Sequence, residues 1–451
     1  MLPTLLARCR SGVGAALETA SAATRVASAS TATASWCAPV ASASGDALPA
    51  AASSGLCVRP YSVTLPTPST GPEDELYVGA YTPITKNLWR ARHAQGNSGY
   101  RPAPPDSGAR PPKPTSVVYE FSTDRALQDM YRNPWGNMRL GRLLEDLDSL
   151  AGNVAFEHCY TGGTKPLLVT ASVDEIALQH PLKLEREVVV RGQVVWVGKS
   201  SLDIRMQLFQ EQHAPAPSLE ALFSFVQLDP ATRKAAPVVP LVPQLPVDVE
   251  AFAQRQAVAD ARRLARQQGG ASGAPALPAE AREWVRAAQR MQELPALAEA
   301  GAILLPHTRQ QNTFVCQPQH RNTHGRVFGG FLMRRAFELG FATSYMFGGA
   351  RPSFHKVDEI TFARPVDVGD LLRLSSSVLH SENLPGSSDK GRVVVEVEAR
   401  VTKPEQRDSF VTNTFLFAFN VSGPPGKPLQ LRRVLPTTDE EAARCWRARQ
   451  V

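Results

Sequence analysis

Asn322-Thr-His-Gly325-Arg-Val-Phe-Gly-Gly330-Phe-Leu-Met-Arg-Arg-Ala-Phe337-Glu338 repeats the plan of an earlier stretch of the chain. That stretch reads Asn133-Pro-Trp-Gly136-Asn-Met-Arg-Leu-Gly141-Arg-Leu-Leu-Glu-Asp-Leu-Asp148. Asn133 and Asn322, Gly136 and Gly325, and Gly141 and Gly330 are each 189 residues apart. Further on, Val173-Asp-Glu-Ile176 with Pro181 recurs as Val357-Asp-Glu-Ile360 with Pro365, at an offset of 184. Leu222-Phe-Ser-Phe225 answers Leu416-Phe-Ala-Phe419 at an offset of 194. Three matched blocks in one order imply two copies of one domain. The unit is far too long for a solenoid repeat, whose period is about 20–50 residues. Two such domains amount to a covalent dimer, with a site expected where they meet.

A chain of 451 residues leaves room for two or three domains with cores of their own. The 43% hydrophobic and 20% charged fractions are ordinary for globular protein. No apolar run approaches the ~20 residues that a membrane helix needs, so no membrane span is expected. A net charge of +7 suits a polyanionic ligand, nucleic acid or a basic organelle protein alike, and decides nothing alone. The six cysteines are scattered, without CxxC spacing, so disulfides and a metal site are not expected.

Residues 1–60 are rich in Ala, Ser and Thr, carry Arg8, Arg10, Arg25 and Arg59, and hold only Glu18 and Asp46 as acids. That is the composition of a mitochondrial transit peptide, so import to the mitochondrial matrix is expected. Residues 61–115 read as a Pro-rich flexible lead-in, 116–243 as the first domain and 244–305 as a helical linker broken at Gly269–Gly273. Residues 306–436 form the second domain, and 437–451 a tail helix. In the first domain Val117–Phe121 reads as a strand and Gly141–Ala151 as a helix with leucines at helical spacing. Leu167–Thr170, Glu187–Val197, Ser201–Phe209 and Leu222–Leu228 read as further strands. One buried helix followed by strands that form an antiparallel meander gives an α+β class, with the helix packed on one sheet.

Asp148 follows Leu147 on a helix whose leucines should bury it. An unpaired carboxylate there costs several kcal/mol unless hydrogen-bonded or wetted by a site. Glu145 and Asp146 on the same helix could simply be solvated. Glu338, between Phe337 and Leu339, is the carboxylate at similar depth in the second copy. Gly325, Gly329 and Gly330 lead into the second helix, whose N-terminal N–H groups and dipole favour an anion or a carbonyl gaining charge. Glycine there also lets a ligand approach the backbone. Asn322 and His324 supply polar side chains beside it. Arg334 and Arg335 could reach a phosphate or lie on the surface. There is no GxSxG elbow, Walker A, HExxH or complete GxGxxG. The basic run Arg262–Arg266 lacks interleaved aromatics, so no nucleic acid is expected.

At His320-Arg-Asn-x-x-Gly-Arg-Val-Phe-Gly-Gly-Phe-Leu-Met-Arg334 the chain resembles the hotdog-fold acyl-coenzyme A thioesterases, and within them a mitochondrial branch. Gly348-Gly-Ala-Arg-Pro352 and Arg364-Pro-Val-Asp-Val-Gly369 extend the likeness, which spans residues 75–436. The resemblance implies a tandem, or double, hotdog: two antiparallel sheets, each wrapped around one long central helix. It implies hydrolysis of fatty acyl-CoA between the units, with an Asn on one turn facing a carboxylate on the other unit's helix. Carried over, Asn322 and His324 face Asp148, while Asn133 faces the second helix and Glu338. Gly325, Gly329, Gly330, Gly136, Gly141 and Arg334 would hold substrate, with the Gly330 N–H on the thioester oxygen. Neither metal nor cofactor is expected, CoA being part of the substrate, and a homo-oligomer is expected. The family's helix acid stands eight positions after the first residue of the Gly-Gly pair, which reaches Asp148 from Leu140 but Phe337 from Gly329. Glu338 comes one place late, a turn of ~100° on a helix, so Asp148 with Asn322 is the expected working site. The alternatives are acyl-CoA hydration or dehydration through His324, and an acyl-CoA-binding module without turnover.

Overall fold

The computed structural model describes residues 83–97, 108–161, 165–174, 176–210, 216–268, 277–322, 324–358, 360–424 and 427–451. The expected transit peptide, much of the lead-in and the Gly269–Gly273 break lie outside the described residues. Among the described residues, no helix is long and apolar enough to cross a membrane.

The chain folds as two runs of matching elements. A leading helix, α1 (Pro83–Asn97), precedes β1 (Thr115–Tyr119), a short α2 (Arg125–Tyr131) and the long α3 (Leu140–Cys159). The strands β2 (Leu167–Val173), β3 (Ile176–Leu178), β4 (Val188–Val197), β5 (Ser201–Phe209) and β6 (Leu219–Leu228) follow. Then come α4 (Pro246–Gln268), α5 (Ala279–Glu293) and the short β7 (Ala302–Leu304). The second run is β8 (Gln310–Val315), α6 (Gly329–Gly348), β9 (Pro352–Val357), β10 (Ile360–Phe362), β11 (Leu371–Asn383), β12 (Lys390–Lys403) and β13 (Asp408–Ser422). It closes with β14 (Arg433–Leu435) and α7 (Asp439–Ala448). Both long helices have 20 residues, and their starts keep the 189-residue offset.

The strands β4 and β13 are dominated by β-branched and aromatic residues, and β6 alternates buried with less buried positions, both of which suit a pleated surface packed on one face. They join one 12-stranded sheet in the order β1-β4-β5-β6-β2-β10-β13-β12-β11-β8, with β3 bridging β6 and β9. Every pairing within it is antiparallel. The halves are joined reciprocally: Val173 pairs with Ile360, and Ile176 with Val357. Since Val173 corresponds to Val357 and Ile176 to Ile360, each pairing is the other with the halves exchanged. That is the isologous geometry of a two-fold dimer, built within one chain.

One continuous hydrophobic core lies between the sheet and the two long helices, holding Leu143, Leu147 and Leu150 of α3 with Phe415, Phe417 and Phe419 of β13. α3 packs against α6 and against the leading helix α1 as well as the sheet, so it is buried nearly all round. For that reason the helix runs to Cys159, eight residues beyond the expected Ala151. Gly152 and Asn153 are poor helix formers, and burial overrides their propensity. The same enclosure rules out a solvated Glu145 or Asp146, since each is 1% exposed. Asp146 accepts hydrogen bonds from Thr85 Oγ1 (2.7 Å), Tyr119 (3.2 Å) and Tyr131. Burial, with the Asp146 carboxylate beside it, pushes the Tyr119 hydroxyl well above the ordinary tyrosine range. The helix α1 was not expected in the lead-in; Leu88 and Trp89 are buried where it docks.

Candidate active site

The repeated Asn is first a turn-former. Asn133 Oδ1 accepts the N–H groups of Trp135 (3.0 Å) and Asn137 (2.9 Å), and Asn322 Oδ1 those of His324 (2.9 Å) and Arg326 (3.2 Å). An Asx side chain tied to the backbone ahead of it is a standard turn device. Gly136 and Gly325 take φ of 82° and 83° in these turns, a left-handed conformation that costs glycine little. Both turns thus end at the start of a long helix with the same geometry. With its oxygen engaged, Asn322 offers the cavity beside it the two hydrogens of its amide.

Asp148, 3% exposed, meets the N-terminus of α6. The Gly330 N–H donates to its Oδ2 (2.7 Å), and Thr170 Oγ1 on β2 donates to its Oδ1 (2.9 Å). A buried carboxylate is thereby held by one backbone amide at a helix start, where the dipole favours negative charge. A Cβ on Gly329 would stand 3.1 Å from that same Oδ2, so the bare backbone lets the acid approach. The Gly330 N–H was expected on the thioester oxygen; in the structure Asp148 takes it. A Cβ on Gly330 would lie 2.8 Å from the Glu145 carbonyl oxygen, so this glycine also sets how closely the two helices pass.

A cavity of about 330 Å³ opens over this junction. Asp148, Asn322, His324 and Gly329 all line it, so four expected residues share one space drawn from both halves. Its inner wall is apolar, from Trp89, Phe156, Leu168, Phe225, Leu228 and Leu332; its polar side carries His324, Arg326 and Arg364. Arg326 pairs with Asp367 (3.4 Å), and Arg364 lies over the Phe410 ring (4.8 Å). Thr170 and Trp89 were not singled out in the sequence. The repeat could not flag Thr170, because at the offset of the β2 block its counterpart is Phe354.

The corresponding place on the other side is filled. Phe337 occupies the position of Asp148 and packs edge-on against Phe354 (5.6 Å) and Phe417 (5.8 Å). Its Cδ1 would stand 3.3 Å from a Cβ on Gly141, the counterpart of Gly330. Trp135, in the turn after Asn133, packs at a tilt on Phe341 (5.8 Å) and edge-on against Tyr345 (5.8 Å). Glu338 turns instead to Arg139 (2.6 Å) and Arg335 (3.3 Å), in a partly exposed ion cluster. Asn133, Gly136, Gly141 and Glu338 therefore lie away from the cavity around Asp148. Arg334 is neither at the surface nor on that cavity: it is 7% exposed, with Nε 2.8 Å from Glu145 Oε2.

Residues 140–216, from the start of α3 into the strands of the first half, match the thioesterase superfamily. Over 397 residues the chain is 42% identical to acyl-coenzyme A thioesterase 2, chloroplastic, of Humulus lupulus, a match covering 82% of this chain and 89% of that protein. The chain belongs to the acyl-coenzyme A thioesterase family. Its sheet and helices are those of the hotdog-fold thioesterases. This thioesterase is also 41% identical over 387 residues to acyl-coenzyme A thioesterase 4, mitochondrial, of the same plant, covering 80% and 72% of the two chains. It is 34% identical over 320 residues to acyl-coenzyme A thioesterase 9, mitochondrial, of Homo sapiens, covering 67% and 70%.

Proposed function

We propose that this thioesterase hydrolyses fatty acyl-CoA to a free carboxylate and CoA at one composite site, with Asp148 and Asn322 facing each other across it. The observation that carries the reading is Asp148 itself: a buried acid anchored by the Gly330 N–H and Thr170, in the same cavity as Asn322. Asp148 takes the proton of an attacking water as general base, or attacks the thioester carbonyl directly to form an anhydride. Thr170 and the Gly330 N–H hold its oxygens in place for either step. Since Gly330 is spent on the acid, the carbonyl oxygen gaining charge is received by the Asn322 amide and the Gly329 N–H, at the positive end of α6. The sulfur leaves as CoA thiolate. His324, Arg326 and Arg364 give the cavity a side suited to the anionic CoA head, while the apolar wall takes the acyl chain. The chemistry draws on side chains and backbone amides alone.

Residues 116–243 and 306–436 are then two hotdog units in tandem, joined by a helical linker over 244–305. The filled counterpart around Phe337 leaves one working site of the two that a symmetric dimer would have. Mitochondrial import rests on the composition of residues 1–60; relatives named as mitochondrial support it, while another is named as chloroplastic. Among the described residues the sheet ends at β1 and β8, and these edges offer strands to a second copy in a homo-oligomer.

Asp148→Asn tests the assignment by thiol release from acyl-CoA. Loss of a general base costs about 10²–10⁴-fold, so kcat should fall at least a hundredfold with the melting temperature little changed. Hydrolysis near the wild-type rate by a folded Asp148→Asn variant would reject the site.

A further inference from the structure

One residue of the apolar wall stands apart from the others, and its bulk bears on acyl length, on the reading of the cavity as an acyl-CoA site. Asp148, Gly152 and Phe156 follow one another at intervals of four residues, so they line one face of α3. From the acid to Phe156 the helix rises about 12 Å. Gly152, without a side chain, leaves room in the middle of that stretch. Leu168 of β2 and Phe225 and Leu228 of β6 face it from the sheet, and Leu332 comes from α6. These are fixed parts of the two halves. Trp89 is different, because it comes from α1, outside the repeated elements and upstream of β1.

α1 is pinned rather than merely adjacent. Thr85 Oγ1 donates to the buried Asp146 (2.7 Å), fixing the start of the helix against α3. One turn later Leu88 is 8% and Trp89 2% exposed. The Trp89 indole meets the Phe328 ring edge-on (5.4 Å, 84°), and Phe328 directly precedes the helix start that holds Asp148. The largest side chain of the apolar wall is thus inserted by a separate element and packed on the residue that precedes α6.

We propose that Trp89 is a specificity-determining residue that limits the length of acyl chain the cavity accepts. Chains that fit in the space the indole leaves bury all their methylenes against the apolar wall. Longer chains must displace the indole or leave carbons in water. Removing the ring opens space next to an apolar lining, and each further methylene buried there is worth ~0.8 kcal/mol, roughly fourfold in kcat/KM.

The test compares wild type, Trp89→Phe and Trp89→Ala by thiol release across saturated acyl-CoAs of increasing length. In Trp89→Ala the optimum should move to longer chains, with kcat/KM for those chains rising relative to short ones by several-fold per added carbon. Trp89→Phe should fall between. A purely structural role for Trp89 lowers every chain length by one factor, and an unchanged length profile in either folded variant overturns the proposal. Should Trp89→Ala not fold, the Trp89→Phe profile decides. If the wild type releases no thiol from any acyl-CoA, the hydrolase reading itself fails, a result distinct from hydrolysis with an unmoved optimum.

Discussion

Glu145 and Arg334 are counterparts 189 residues apart, and they face each other across the contact between the two long helices. In a dimer of identical units that position would confront its own copy, and a like-charged pair there would repel. Duplication within one chain frees the two copies to differ, and here one became an acid and the other a base. The pair is 2.8 Å apart, so the guanidinium offsets part of the cost of burying the carboxylate. Burial pushes the Glu145 carboxyl up to about 7, against the pull of the Arg334 guanidinium. With the folded value above the unfolded one, the native state binds the extra proton between about 4.5 and 7. The contribution of Glu145 to stability is therefore full below that window and falls as pH rises through it, reaching a plateau above 7. Glu145→Gln should flatten this part of a pH–stability profile taken from urea midpoints. A profile that keeps its slope in the variant would place the titration elsewhere. Glu145→Arg sets two guanidiniums together and should cost about 3–5 kcal/mol, while the reciprocal pair Glu145→Arg with Arg334→Glu should recover much of the loss.

At the scale of elements, the turn and the helix it opens were the most legible part of the chain. Asn322, Gly325 and Gly330 could be read because each does a local job that only its residue type does well: an Asx turn, a left-handed φ and a close approach. Strands such as Ser201–Phe209 were equally plain, since their composition and period agree. What escaped were features that depend on a neighbour far away in sequence. Helix α1 carries only a weak apolar stripe and exists by docking on α3. The burial of Asp146 depends on Thr85, Tyr119 and Tyr131 arriving from three separate elements. The Asp148–Gly330 bond joins residues 182 apart, and the repeat alone could suggest only that their helices meet. Gly330 makes the contact testable. A methyl group there would stand 2.8 Å from the Glu145 carbonyl oxygen, and backbone cannot swing aside as a flexible side chain would. Gly330→Ala should cost about 1–3 kcal/mol, the range for overpacking, and should also lower kcat by shifting the N–H that holds Asp148. The counterpart Gly141→Ala meets side-chain atoms of Arg334 and Phe337 at 3.3 Å and should be milder in stability, with activity nearly unchanged. Equal losses of activity from the two variants would show that the pair around Phe337 is not idle.

The whole molecule follows from one constraint: neither half can close alone. β2 and β3 of the first half finish their hydrogen bonding on β10 and β9 of the second, and the joint is reciprocal. Separation would expose those strand edges and the buried faces of α3 and α6 to water, including the charges of Glu145 and Arg334. The cavity divides along the same line. Asp148, Thr170 and the inner wall from Leu168 to Leu228 belong to the first half; Asn322, Gly329 and Gly330 belong to the second. A chain cut between α4 and α5 should thus behave as two subunits of an obligate heterodimer. Expressed as separate polypeptides, residues 83–268 and 277–451 should each be poorly soluble and release no thiol from acyl-CoA. Expressed together they should copurify and regain hydrolysis, since the covalent link contributes mainly effective concentration. Asp148→Asn in the first polypeptide or Asn322→Ala in the second should abolish the recovered activity. Phe337→Leu in the second should spare most of it, because that ring fills the place where the symmetric partner of the proposed site would be. Hydrolysis by either polypeptide alone would show that the site is not shared, and the case for a composite centre would fall with it.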